Sequence, residues 1–191
     1  MHRQDLKSDF PATIECASAP AGMRYHLHPG YHALHGQAPA PAMTVIAHLE
    51  AEKIWICQQG RQGDKETRGE GERGGQGNRE HHSSITPVYT LAREAPDNSS
   101  PSGRGAPAPL AVPTGAVFIR FKEGVSAESH RAAIEQSGYT ITNIPPYAPH
   151  ATWVEATNGG IAAALNGVSK LAELPDVENV EPQMLQQMQR R

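Results

Sequence analysis

The sequence predicts an α+β protein, with a helix-and-strand domain at residues 115–191 and a loosely ordered, strand-containing region at residues 1–93. Three observations predict it. From Gly115 onward, strand-like segments alternate with two helix-like ones. Residues 94–114 are rich in Pro, Ser, Gly and Ala and read as a linker, stiffer where Pro dominates. Before the linker, short β-branched and aromatic runs stand among segments with no periodicity.

The elements follow in order. Residues 1–43 mix His, Pro, Ala and Gly with little pattern. Residues 44–49 and 53–57 read as two strands, and Glu50-Ala51-Glu52 between them predicts a hairpin. In residues 59–84 glycine crowds together with balanced charge, too little apolar surface to offset ordering entropy, so a flexible loop is expected. Residues 85–91 predict one more strand, which Pro87 restricts to an edge or a bulge. Val117–Lys122 is a strand, and Ser126 is the N-cap of a helix over 127–137 that Gly138 ends. Tyr139–Ile144 and Ala151–Ala156 are strands on either side of a Pro-rich turn. Ile161, Ala164, Leu165, Val168, Leu171 and Ala172 fall on one helical face, and Pro175 stops that helix. Val177–Glu181 is a last strand before a polar tail. The order β-α-β-β-α-β predicts a ferredoxin-like domain, an antiparallel sheet with two helices on one face.

Composition narrows the function. A formal charge of −3 and a pI near 6.4 give no electrostatic case for nucleic acid or an anionic membrane. No stretch approaches the roughly 20 apolar residues a membrane span needs. No apolar signal-like run follows the N-terminus, so a soluble, cytoplasmic protein is expected. Cys16 and Cys57 are isolated, and two free thiols are the expectation. With 18 glycines, 16 prolines and few aromatics, one compact domain with looser segments is expected, not a core spanning the chain.

Three blocks carry a resemblance. Val117-Phe118-Ile119-Arg120-Phe121-Lys122-Glu123-Gly124-Val125-Ser126 is similar to the opening strand and turn of the propeptide (inhibitor) domains of subtilisin-type serine proteases. Pro146-Tyr147-Ala148-Pro149 with Ala151 to Ala156 resembles their middle turn and third strand. Leu171 to Pro182 resembles their closing segment. The blocks cover about residues 115–182, and Ile85–Tyr89 upstream is a weaker match. No glycine-flanked nucleophile motif of the protease appears, and His35-Gly36 lacks the residues that should follow, so the chain is not expected to be an enzyme.

The resemblance implies a protease-binding inhibitor or folding chaperone whose helix-free sheet face docks on the protease while its C-terminal tail runs through the substrate groove as an added strand. An interface of roughly 1,600 Å² is implied. Val180, Glu181, Pro182, Gln183, Met184, Leu185, Met188, Arg190 and Arg191 would then contact the groove, and Glu155, Glu178 and Glu181 would cap helix N-termini of the partner. The competing readings are solvated surface acids and a frayed or unstructured end. Tyr147 and Trp153 are the candidate aromatic anchors, with core burial the alternative for Trp153. A non-inhibitory interaction subunit that assembles with a protease-like partner is the competing function. No cofactor is expected. His26, His28, His32 and His35 form the one metal-like constellation. They have no accompanying Cys or acid and no common site spacing, so a composition-biased loop is the expectation.

Overall fold

The computed structural model describes residues 9–17, 19–36, 38–41, 43–58, 85–93 and 109–186. The expected flexible loop at 59–84, linker residues 94–108, and Met188, Arg190 and Arg191 lie outside these described residues. In chain order the elements are β1 (Thr13–Ile14), β2 (Arg24–His35), β3 (Val45–Leu49), β4 (Ile54–Gln58), β5 (Ile85–Ala92) and β6 (Leu110–Phe121). A 3-10 turn (Ala127–His130) leads into α1 (Arg131–Gln136), followed by β7 (Tyr139–Asn143) and β8 (Ala151–Ala156). Then come α2 (Ile161–Asn166), α3 (Val168–Ala172) and β9 (Val177–Gln186). The structure is mostly antiparallel sheet with few helices, an α+β composition.

The chain divides into two compact units, Met1–Pro29 with Thr86–Arg191, and Gly30–Ile85. In the smaller unit β3 and β4 form the expected hairpin, with His48 opposite Trp55 and their rings stacked at 4.5 Å. The second half of β2 adds to β4, pairing Ala33 with Ile56. Ala33, Ala47, Ile54, Ile56 and Cys57 are its buried residues.

In the larger unit four strands lie in the order β9-β6-β8-β7, every pair antiparallel. Val117 sits opposite Val154, and Ile119 opposite Thr152. Alternate residues of a strand face opposite sides of its sheet. Accordingly Val117, Ile119, Phe121, Val154 and Ala156 bury against Ala127, Ile134, Ala164 and Leu171 of the helical segments. Ser126 is the N-cap expected of it, its hydroxyl accepting from the Glu128 N–H at 3.2 Å. The first turn it caps is 3-10, and α-helical geometry begins only at Arg131.

Several expectations are corrected here. The sheet does not stop at four strands. β6 is twelve residues long, and Tyr89 and Thr90 of β5 pair with its first two residues. Residues 110–114, expected in a linker, are therefore strand, and Gly115 (φ +94) marks an irregularity within β6 rather than a domain start. A Cβ at Gly115 would come within 3.1 Å of Ile161, so a bare backbone lets α2 approach there. β5 itself lies between β2 and β6, so of the two places expected for a Pro87-containing strand, an edge or a bulge, the edge is ruled out.

The single helix expected after Gly160 is broken at Gly167 into α2 and α3. The Tyr139 side chain occupies the space a side chain at Gly167 would need: a Cβ there would collide with the hydroxyl and come within 2.9 Å of ring carbons. That hydroxyl donates to the Ala164 carbonyl at 2.7 Å and satisfies a group at the end of α2.

The His tract is not a loop. His26, His28, His32 and His35 all lie within β2, which the pairing of Tyr25 with Ile14 and of Leu34 with Trp55 holds extended.

The tail does not leave the fold at Pro182. β9 continues to Gln186, with Met184, Leu185 and Gln186 opposite Pro113, Val112 and Ala111. Met184 packs on a second cluster built from Ile14, Tyr25, Tyr89, Leu91, Ala111 and Leu165.

Candidate functional site: the open face of the sheet

Phe118 stands between Val117 and Ile119, which face the helices, so it points to the opposite side. Trp153 stands between Thr152 and Val154 by the same logic. The two are cross-strand partners, with ring centroids 5.2 Å apart and tilted by 56°. Both rings are half-buried. Tilted pairs at this separation place a ring edge toward a ring face, a favourable quadrupole arrangement. Two aromatic rings thus stand on a face that no helix of this unit covers.

Glu181 lies opposite Phe118 on β9, so Trp153, Phe118 and Glu181 form one row across three strands. The Asn179 amide donates to Glu181 Oε1 at 2.7 Å. Arg120 pairs with Glu178 at 3.4 Å where β9 is irregular. Beside the row is a groove of about 320 Å³, to whose lining Cys16, Tyr25 and Met184 also contribute. Burial, helped by the Glu181 carboxylate, pushes the Cys16 thiol up to about 12, so it is protonated and a poor nucleophile at neutral pH. Gln186 Nε2 donates to Tyr25 Oη at 2.6 Å, joining the end of β9 to β2.

The structure distributes the sequence-predicted residues unevenly. Trp153, Glu155 and Glu181 are brought to one face. Glu178 is exposed beside Arg120. Tyr147 is 89% exposed in its Pro-rich turn. Val180 is turned toward the helices, Pro182 is buried, and Met184 is packed in the second cluster. Gln183 accepts from the Thr114 hydroxyl at 2.8 Å, and Leu185 is half-buried opposite Val112. The residues sequence reasoning missed are Phe118, Tyr25 and Cys16. Phe118 was legible: it is an aromatic in phase with Arg120 on the polar side of its strand. Nothing local in the sequence places Tyr25 and Cys16 there.

The histidines do not assemble. Among the described residues no three His, Cys, Asp or Glu side chains come together as a metal site. Burial lowers the pKa of His28, His32 and His35. Cys16 and Cys57 are free thiols. No helix among the described residues is long and apolar enough to cross a membrane. No protein-family model, curated protein or solved structure matches this chain.

Proposed function

We propose that this chain is a non-catalytic docking protein of the propeptide type, which binds a subtilisin-type serine protease with the open face of its sheet. The observation that carries the reading is the half-buried Phe118–Trp153 pair on that face, since paired aromatics outside a core are what protein interfaces use as anchors. Two further features support it. Within the larger sheet, the spatial order β9-β6-β8-β7 with helical segments on one side is compatible with the ferredoxin-like unit that the sequence resemblance implies. Glu155 and Glu181 share the aromatic face, where carboxylates can meet helix N-termini of a partner. The reading requires no cofactor and no nucleic acid.

A specific observation favours binding without inhibition. Met184, Leu185 and Gln186 are paired within the sheet. Threading them through a substrate groove requires those pairs to be given up. The test is titration of the purified chain against a subtilisin-type protease, reading co-elution and peptidase activity in the same samples. A one-to-one complex is expected, weakened about tenfold or more by Trp153→Ala. Failure of the native chain to co-elute sinks the docking reading. Activity lost in the complex selects inhibition, and activity retained selects the interaction subunit.

A further inference from the structure

The groove beside the aromatic pair carries a charge that apolar docking does not use. Glu181 is half-buried, and only its Oε1 has a hydrogen-bond donor, Asn179. Among the described residues no cation lies within ion-pair distance of it. Arg120, two positions along β6 from Phe118, is committed to Glu178. The other polar groups at the groove do not neutralise the carboxylate. The Cys16 thiol is protonated and the Tyr25 hydroxyl, which accepts from Gln186, is neutral. A carboxylate partly withdrawn from water without a cation is destabilised, and pairing relieves that.

The row Trp153–Phe118–Glu181 therefore sets two aromatic surfaces beside an acid with no cationic partner among the described residues. Aromatic faces attract a cation, most of all a planar one that can also stack. A carboxylate accepts the forked donors of a guanidinium better than the point charge of an ammonium. The aromatic rings and the carboxylate select the same group, and a groove of about 320 Å³ has room for one such side chain.

We propose that this groove is a receptor for one arginine side chain presented by the docked protein. Its guanidinium stacks at Trp153 and pairs with Glu181, and its aliphatic stem lies along Phe118 and Met184. The inference rests on the reading that this face docks a protein, and adds the chemistry it takes from that partner.

The test uses the full chain and two capped tripeptides, acetyl-Gly-Arg-Gly-amide and its citrulline counterpart. Citrulline keeps the planar shape and loses the charge. Both are titrated while the Trp153 indole N–H is followed by NMR, its signal assigned by its loss in Trp153→Phe. The arginine peptide is expected to shift that signal and bind at least about tenfold more tightly than citrulline. Glu181→Gln, at a site outside the core, is expected to remove the preference while the rest of the spectrum stays folded. Equal binding of the two peptides overturns the proposal, as does a full preference surviving Glu181→Gln or an indole signal unmoved at millimolar peptide. The outcome separates from the docking reading itself: protease co-elution with no arginine preference removes only this inference. Arginine binding without co-elution removes the protease reading and leaves the receptor site.

Discussion

The two faces of the β9-β6-β8-β7 sheet are built from alternating residues of the same strands, yet they are chemically opposite. On the helix-covered face Val117, Ile119, Phe121 and Val154 are fully buried, and the one polar member, Thr152, donates its hydroxyl to the Asn143 carbonyl at 3.0 Å. On the open face the intervening positions include Phe118, Arg120, Trp153, Glu155 and Glu181, each half-buried or exposed, with only the small Ala151 buried among its neighbours. The difference teaches that a period of two lets one strand hold the fold together with one set of side chains and present chemistry with the other. A substitution should therefore damage stability or recognition according to its parity, not according to its size.

The largest effect expected from breaking that rule is on the covered face. Phe121→Ala should cost about 3–5 kcal/mol in denaturant unfolding, because a fully buried ring leaves a cavity that the helices and strands cannot close. Next is Gly167→Ala. The added methyl meets the Tyr139 ring at the break between α2 and α3, and a loss of about 1–3 kcal/mol is expected from the same measurement. A stability unchanged by that substitution would show that Tyr139 moves aside easily.

Removal of residues 183–191 takes away the pairing of Met184, Leu185 and Gln186 with β6, together with Met184 from its cluster. Loss of stability should accompany any loss of protease binding in the truncated chain. If binding falls while the melting temperature holds, the tail is a partner contact and not a structural strand.

Trp153→Ala on the open face should cost less stability than Phe121→Ala, since part of the Trp153 side chain stays in contact with water while Phe121 is fully buried. Protease binding should fall about tenfold or more in the same protein. A large stability loss without a change in affinity would reverse the assignment of the two faces.

The smallest effect lies away from both faces. Burial holds the pKa of His28, His32 and His35 below the ordinary 6.5 in the folded chain. Well above pH 6.5 these side chains are neutral folded or unfolded and contribute nothing to pH dependence. As pH falls through that value the unfolded chain takes up protons first, so stability declines toward the lower folded pKa values. Thermal melts across about pH 8 to 5 should show a modest fall toward acid, and a rise would mean the protonated imidazoles gain partners.

Much of the C-terminal fold was legible because its signals are local. Ala151–Ala156 alternates, Ser126 caps and Gly138 terminates, whereas the helical stripe from Ile161 to Leu171 divides between two clusters, Ala164 and Leu171 in one and Ile161 and Leu165 in the other. β2 was illegible because histidine, proline and glycine mask its alternation. Only Tyr25 and Leu27, packed together at spacing two, betray its buried side. The break at Gly167 was hidden for another reason: glycine is tolerated inside helical patterns, and the ring that requires it comes from Tyr139 on a different element. Half of the candidate site was readable, since Trp153, Glu155 and Glu181 are polar-phase or aromatic residues of recognisable strands. Cys16 and Tyr25, which also line the groove, come from a distant part of the chain.

Strand parity and the Ser126 cap in residues 117–156 were readable from local sequence, because they depend on residues two to four positions apart. Tertiary structure alone decided that β6 begins at Leu110 and pairs there with β5 and the end of β9, that Glu181 faces Phe118, and that Tyr139 divides a helix. The physical reason is that pairing register and ring contacts are set by which surfaces bury most together. That choice is made between segments far apart in the chain, where no local pattern carries it.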